Sequence, residues 1–184
     1  MNYKHFFGRS VLSLIAGQAM IERGLEPEFS RAVLQELKTI AHAGQDTDVR
    51  VVDMTAWLWC SIDNDDSRDL DQLTVAEKQA DGQTKVWVAV ADVDVLVPQG
   101  SALDAHAKHN TTSVYTSACI FPMLPERLST DLTSLNFNEE RLALVTEMVF
   151  NADASLAGST VYRAKVRNQA KLAYDAVSAW FGGL

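Results

Sequence analysis

Apolar residues recur at helical spacing in the first part of the chain. One set predicts a helix over residues 10–23, which Gly24 then ends. Ser30 can cap a second helix, whose apolar positions form one stripe between Val33 and Ala41. We therefore expect two short helices at the start of the chain.

The polar run Gly44–Asp48 marks the best internal boundary. It predicts a helical segment over residues 1–45, followed by a main domain over residues 46–184. Beyond this run the spacing of the apolar residues changes to that of strands. Residues 85–97 are apolar on both faces, which is typical of a central strand that is covered on both sides.

Paired strands and further helices follow in the rest of the chain. Residues 141–150 and 159–167 predict two strands joined by a loop, and residues 172–181 predict a final helix. Ser101, with Asp104 three residues later, predicts the start of a short helix. We therefore predict an α+β fold, in which a mixed β-sheet with flanking helices is preceded by a short helical appendage.

The composition is typical of a soluble globular protein, with 47% hydrophobic and 22% charged residues in a chain of 184. No apolar run reaches the length of about 18 residues that a membrane span needs, so we expect no membrane association. The two cysteines, Cys60 and Cys119, have neither metal-binding nor redox spacing, which favours a reducing, cytoplasmic location. We also expect a monomer.

The net charge of −8 argues against a general nucleic-acid binder, because phosphate contacts need Lys and Arg. The charge is unevenly distributed, however. Residues 158–184 contain one acid against four bases, which are Arg163, Lys165, Arg167 and Lys171. The first three alternate along a predicted strand and give it one basic face. This face is either a contact for RNA phosphates or an ordinary solvated sheet face, and the second interpretation is favoured.

Other polar and aromatic residues receive simpler interpretations. His106 and His109 lie three residues apart on the short helix, and we interpret them as surface residues rather than metal ligands. Asp92 ends a predicted buried strand and is a candidate supporting group for a nearby site. The tryptophans are predicted to lie in the core: Trp57, Trp59, Trp87 and Trp180.

Five carboxylates are concentrated between Ser61 and Gln72, where Arg68 is the only cation. They belong to Asp63, Asp65, Asp66, Asp69 and Asp71. Two unit charges about 5 Å apart repel by roughly 3 kcal/mol at an effective dielectric constant of about 20, so a fold that gathers several of them needs a counter-charge. A hard divalent cation is one candidate, and an acidic loop that simply faces water is the alternative.

The fold can bring three of these aspartates together. If residues 69–75 are extended, Asp69 and Asp71 share one face at the mouth of a strand, and Asp63 ends the strand before it. Carboxylates without His or Cys specify Mg²⁺ or Mn²⁺ rather than zinc. A calcium-binding EF-hand loop is excluded, because its pattern requires Gly where Arg68 stands.

The segment Ser61–Gln72 resembles the signature of the RNB catalytic domain, which is found in the ribonuclease II and ribonuclease R family. The likeness covers roughly residues 55–181, with its parts in the correct order. These parts are Val90-Ala91-Asp92-Val93, Gly100-Ser101-Ala102-Leu103-Asp104, Thr112-Ser113-Val114-Tyr115, Phe121-Pro122-Met123-Leu124-Pro125, Leu128-Ser129, Ser134-Leu135-Asn136, Arg141-Leu142-Ala143 and Ala170-Lys171-Leu172-Ala173-Tyr174.

The resemblance implies a processive 3′→5′ exoribonuclease that hydrolyses single-stranded RNA with Mg²⁺ and releases nucleoside 5′-monophosphates. By position, Asp63, Asp69 and Asp71 match three of the four catalytic, metal-binding aspartates of the family. Tyr115 matches the tyrosine that holds the terminal nucleotide, and an aromatic ring suits this role because it stacks on any base. Arg68 is either a counter-charge within the acidic cluster or a clamp for a substrate phosphate.

The chain departs from the family pattern in two respects. The fourth family aspartate falls on Gln72, which is a neutral and weaker cation ligand, and for which Asp65 or Asp66 could compensate. The catalytic domain of the family is also much longer, so the resemblance implies that this chain is its front portion, truncated before an active-site arginine and glutamate. A catalytically weak RNA-binding member of the family is therefore the second hypothesis, and an acidic module without an RNA role is the third.

Overall fold

The computed structural model of the protein describes residues 9–183. These residues form two compact units, and each unit combines two separate segments of the chain. The first unit contains the residues up to Ala41 together with Val97–Glu126. The second unit contains His42–Leu96 together with the residues from Arg127 onward.

The described part of the first unit consists of helices and one small hairpin. Its elements are α1 (Arg9–Glu22), α2 (Arg31–Thr39), α3 (Ala102–Asn110), β5 (Val114–Tyr115) and β6 (Ile120–Phe121). Both predicted caps are confirmed: Ser30 Oγ accepts a bond from Val33 N–H at 3.3 Å, and Ser101 Oγ accepts one from Asp104 N–H at 3.1 Å. The boundary predicted after residue 45 stays a prediction, and residues 1–8 lie outside the described residues.

His106 is buried in the first unit, so its interpretation as a surface residue is wrong. It is 5% exposed, and its ring centroid lies 4.6 Å from that of Phe29. Its Nδ1 lies 3.1 Å from Oε2 of Glu26, and Asn110 Nδ2 lies 3.2 Å from its other ring nitrogen. The pattern along α3 did not indicate this burial, because Glu26 and Phe29 come from a segment far away in sequence.

The second unit is built on a seven-stranded sheet. Its strands are β1 (Val52–Asp53), β2 (Cys60–Asp63), β3 (Gln72–Lys78), β4 (Thr84–Ala91), β7 (Glu140–Phe150), β8 (Leu156–Arg167) and β9 (Ala170–Ala173). The strand order is β1-β8-β7-β4-β3-β2-β9, in which the outer pairs β1/β8 and β2/β9 are parallel and the other pairs are antiparallel. A π-helical segment, Arg127–Leu132, precedes β7, and α4 (Tyr174–Phe181) follows β9. The predicted mixed sheet with flanking helices is confirmed.

The core of the second unit lies on one face of the sheet. It contains Met54, Trp59, Leu73, Trp87, Ala89, Leu135, Ala143, Val145, Ala164 and Val166.

The strand predicted over residues 85–97 differs from this structure in two respects. It ends at Ala91, and Val90 on its other face is 47% exposed. Asp92 N–H still bonds to the carbonyl oxygen of Leu142, and the chain turns away from the sheet directly afterwards, because Val93–Val95 form a 3₁₀ turn.

The predicted burial of the tryptophans and the predicted start of the last helix are only partly confirmed. Trp59 and Trp87 are 0% and 3% exposed, as expected for core residues, but the prediction is wrong for Trp57 and Trp180, which are 36% and 74% exposed. The final helix begins at Tyr174 rather than at residue 172, because the preceding residues pair with β2 as strand β9. Among the helices in residues 9–183, none has the length and apolar character to cross a membrane.

Candidate active site

The acidic loop, which we define as residues 64–71, connects β2 to β3. Asp63 is the last residue of β2 and Gln72 is the first residue of β3, and these two strands are antiparallel neighbours. The condition that residues 69–75 are all extended in one strand is not met, since β3 begins only at Gln72. The backbone of Leu70 instead bonds to residues outside the sheet.

The carboxylate of Asp63 is held within its own turn. Its Oδ1 accepts hydrogen bonds from Asn64 N–H and from Ser67 Oγ–H, both at 2.8 Å. Asp63 is half-buried, whereas the residues at the tip of the turn are exposed. The two bonds therefore fix the orientation of one carboxylate at the end of β2.

Asp69 and Asp71 lie on either side of a buried leucine. Leu70 is 3% exposed, while both aspartates are exposed. Asp69 and Asp71 therefore lie on the solvent side of the acidic loop, with Leu70 packed inward between them. The structure thus presents two carboxylates on the outer side of the acidic loop.

Two side chains from later parts of the sequence hold the backbone of the acidic loop. Ser134 Oγ accepts a hydrogen bond from Leu70 N–H at 3.0 Å, and Lys171 Nζ donates to the carbonyl oxygens of Asp65 and Ser67 at 3.2 and 2.8 Å. Sequence reasoning assigned no role to either residue. Both belong to segments that resemble the RNB family, and this was the signal that could have identified them.

No group of three or more His, Cys, Asp or Glu side chains within residues 9–183 is placed to hold a metal ion by itself. Asp63, Asp69 and Asp71 therefore do not form a preformed cage, and their assignment to a cation stays a prediction. Mg²⁺ does not need such a cage, because it usually keeps several waters and binds through one or two carboxylates together with substrate phosphates. Carboxylate oxygens without His or Cys suit Mg²⁺ or Mn²⁺ that is bound jointly with a phosphate.

The two predicted substrate-binding residues, Tyr115 and Arg68, are both exposed. Tyr115 lies on β5 of the first unit and is 63% exposed, whereas Arg68 belongs to the acidic loop of the second unit. An exposed ring can stack on a base, and a guanidinium can bind a phosphate through two parallel bonds. The roles of both residues stay predictions.

Arg163, the first residue of the basic face predicted on β8, is engaged by two carboxylates. Its Nε donates to Asp92 Oδ2 at 2.8 Å, and its Nη1 donates to Asp46 Oδ2 at 2.5 Å. The bond to Asp92 is the main cause of a raised pKa of Arg163. Asp92 thus has an ion-pair partner on β8, and its role as a supporting group for the site stays a prediction.

Lys165 and Arg167, the other two cations of this face, share Glu140. Arg167 Nη2 bonds to Glu140 Oε1, and Lys165 Nζ lies 3.2 Å from Glu140 Oε2. Arg167 and then Lys165 lower the pKa of Glu140 below its ordinary value. The face therefore consists of ion pairs rather than available cations, which favours the interpretation as an ordinary sheet face over an RNA contact.

The chain is thus an α+β protein in which Asp63 and Asp71 stand on either side of the loop between two neighbouring strands, β2 and β3. Comparison with known families identifies the kind of domain. The family model described as the RNB domain matches residues 51–183, and the chain belongs to this family.

Curated relatives of the chain are ribonucleases. Ribonuclease R of Vibrio parahaemolyticus is 36% identical over 157 residues, which cover 85% of this chain and 19% of the relative. Exoribonuclease 2 of Salmonella heidelberg is 40% identical over 129 residues, which cover 70% of this chain and 20% of the relative. The chain thus spans about a fifth of the length of these relatives.

Solved structures with a similar fold include RNase R of Mycoplasma genitalium. Its complex with ribose-methylated single-stranded RNA matches 92% of this chain and 27% of that protein, with a TM-score of 0.82 and 29% identity. Its complex with double-stranded RNA matches 92% of this chain and 30% of that protein, with a TM-score of 0.83 and 29% identity.

Proposed function

We propose that this protein is part of a Mg²⁺-dependent 3′→5′ exoribonuclease that hydrolyses single-stranded RNA to nucleoside 5′-monophosphates. The observation that carries the proposal is the RNB match, which includes the acidic loop with Asp63, Asp69 and Asp71. The RNA-bound RNase R of Mycoplasma genitalium, which has a similar fold, supports RNA as the substrate. Because the chain spans about a fifth of its relatives, the activity is proposed for this chain joined to the remainder of such a domain.

Each aspartate has a defined place in the proposal. With Oδ1 of Asp63 bonded to Asn64 and Ser67, Oδ2 is the oxygen that we assign to the cation. Asp69 and Asp71 contribute carboxylates on the outer side of the acidic loop. Bound Mg²⁺, or Mn²⁺, supplies a more acidic water and neutralises charge on the phosphate.

The proposed reaction is cleavage of the last phosphodiester bond. A water oxygen attacks the phosphorus of the 3′-terminal nucleotide, and the bond to the 3′-oxygen of the preceding nucleotide breaks. That oxygen takes a proton and becomes the new 3′-hydroxyl, while the terminal nucleotide leaves as a 5′-monophosphate. We assign Tyr115 to stacking on the terminal base and Arg68 to holding a phosphate oxygen.

The test uses this chain and a form extended to a full RNB catalytic domain. Both are incubated with single-stranded RNA labelled at the 3′ or the 5′ end, with Mg²⁺ or with EDTA. We expect the extended form to release labelled mononucleotides at once from 3′-labelled RNA, and only with Mg²⁺. Asp71→Asn should reduce cleavage by about a hundredfold or more without loss of RNA binding, since it removes one carboxylate from the cation.

Asp94→Asn is the matched control, because Asp94 is an exposed aspartate outside the acidic loop. It should leave cleavage unchanged. Cleavage that proceeds in EDTA, or that survives in Asp71→Asn, would contradict the proposal. Release of internal fragments would contradict the exonuclease assignment.

A second candidate function is RNA binding with little catalysis, and Gln72 is the observation that favours it. Gln72 follows Asp71 directly, is exposed, and stands where the family has its fourth aspartate. Its amide is neutral and therefore a weaker ligand for a hard cation. Binding of RNA without cleavage by the extended wild-type form would support this second function.

A further inference from the structure

The segment from Arg68 to Asp71 carries two of the three candidate aspartates, yet it lies between strands rather than within one. Backbone N–H and C=O groups that are shielded from water need partners, and here the sheet does not supply all of them. For the residues on either side of Asp69, partners come from Ser134 and Leu135.

One buried hydroxyl connects the two residues that flank Asp69. Ser134 is 2% exposed, and its Oγ accepts a bond from Leu70 N–H at 3.0 Å and lies 2.9 Å from the carbonyl oxygen of Arg68. Asn136 Oδ1 lies 3.1 Å from the same Oγ. Since a hydroxyl has one proton to donate, Arg68 and Asn136 share it, while Leu70 uses an acceptor position.

Ser134 belongs to a well-packed part of the second unit. It follows the π-helical segment Arg127–Leu132, and its surroundings are anchored by Leu128 and Leu135, which are 0% and 1% exposed. A side chain attached to such a close-packed region has little freedom to move. The hydroxyl is therefore a fixed point for the acidic loop.

Both backbone groups of Leu70, its N–H and its carbonyl oxygen, form hydrogen bonds. Its N–H donates to Ser134, and its carbonyl oxygen accepts from Leu135 N–H at 2.7 Å. We propose that Ser134 is a positioning residue, which holds the backbone around Asp69 so that the carboxylates of Asp69 and Asp71 face a divalent cation. This inference rests on the proposed function and deepens it by naming the residue that orients the metal-binding carboxylates.

The test measures metal binding and backbone protection separately. Mn²⁺ is titrated into the 184-residue chain and followed by the paramagnetic resonance signal of the free ion, and exchange of the Leu70 amide is followed by NMR. Ser134→Ala should weaken Mn²⁺ binding by about tenfold, the lower end of the effect of removing groups that orient metal ligands. It should also speed exchange of the Leu70 amide.

Thr133→Ala is the matched control. Thr133 is 8% exposed and donates its hydroxyl proton to Leu128 O at 2.9 Å, so this change also removes a buried hydroxyl but leaves the bonds to Arg68 and Leu70 intact. It should change neither measurement. If Ser134→Ala binds Mn²⁺ as tightly as Thr133→Ala does, the positioning proposal is wrong.

Ser134→Thr keeps the hydroxyl and serves as the second variant in case Ser134→Ala does not fold. It should retain both the protection of the Leu70 amide and the wild-type affinity for Mn²⁺. A folded Ser134→Thr that protects Leu70 but binds Mn²⁺ weakly would overturn the proposal. If the wild-type chain itself binds no Mn²⁺, the proposal that Ser134 orients metal ligands in this chain is wrong, whereas the proposed function is decided separately by the cleavage assay with the extended form.

Discussion

Two arginines on β8 have ion-pair partners that differ strongly in burial. The side chains of Arg163 and Arg167 are both 37% exposed. Asp92, the partner of Arg163, has a side chain that is 6% exposed, whereas that of Glu140, the partner of Arg167, is 41% exposed. A carboxylate left without its cation costs far more when it is buried, so the two pairs should differ in stability.

Replacing each arginine by methionine tests this difference, because methionine keeps the apolar stem and removes the charge. Arg163→Met should lower the free energy of unfolding by about 3 kcal/mol, since it leaves Asp92 buried and unpaired. Arg167→Met, the matched control, should cost less than about 1 kcal/mol, as exposed pairs do. Urea unfolding followed by tryptophan fluorescence measures both, and equal losses would contradict the argument.

Replacing Gln72 by aspartate tests whether its neutral side chain limits metal binding. Gln72→Asp adds a carboxylate next to Asp71, so without metal the variant should be less stable than the wild type through like-charge repulsion. With an added charged ligand, Mn²⁺ should bind about tenfold more tightly. The melting temperature should therefore fall in EDTA and rise with Mn²⁺ by more than that of the wild type.

Gln79→Asp is the control for this change, because Gln79 directly follows the other end of β3. It alters the net charge equally but should leave Mn²⁺ binding at the wild-type value. Unchanged affinity in Gln72→Asp would mean that the glutamine is already accommodated, and that the neutral residue does not limit the site.

In the first unit, the start of helix α3 is capped by a side chain of helix α2. Glu36 of α2 accepts hydrogen bonds from Ala102 N–H and Leu103 N–H, both at 2.9 Å. The first N–H groups of α3 have no partners within the helix, and the positive end of the helix dipole favours a carboxylate there. Glu36→Ala should therefore cost about 2 kcal/mol in the free energy of unfolding.

Hydrogen exchange locates the effect of this change, because the amides of Ala102 and Leu103 should lose protection first. Gln35→Ala, on an exposed position of the same helix, should leave these amides and the stability unchanged. Equal exchange at Ala102 in both variants would show that Glu36 does not cap α3.

The elements that the sequence predicted correctly are those with local signals. The caps at Ser30 and Ser101 bond to residues three positions away, so the sequence around them is sufficient. The acidic loop was found for the same reason, since its aspartates lie close together in the sequence. Ser134 and Lys171 were missed because they act on carbonyls 66 and 104 positions away, and only the fold brings them there.

The net charge of −8 and the ion pairs on β8 both predict that RNA binding by this chain depends only weakly on salt concentration. Binding of RNA to this chain alone should release few counterions, because its cations on β8 already face carboxylates. For single-stranded nucleic acid, the logarithm of the binding constant falls with the logarithm of salt concentration by about 0.7 per phosphate contact. We therefore expect a shallow slope, with a magnitude below about 1.

Glu140→Gln provides the decisive comparison, because it removes the carboxylate that Lys165 and Arg167 share. If these cations then reach phosphates, the slope should steepen by about 0.7 for each of them. Glu77→Gln makes the same change in net charge on an exposed position of β3 and should leave the slope as it is. The measurement is fluorescence anisotropy of a labelled oligouridylate over a series of salt concentrations. Equal slopes in the two variants would show that the cations of β8 do not reach RNA phosphates even after Glu140 is neutralised. A steep slope in the wild type would show that their ion pairs do not restrain them.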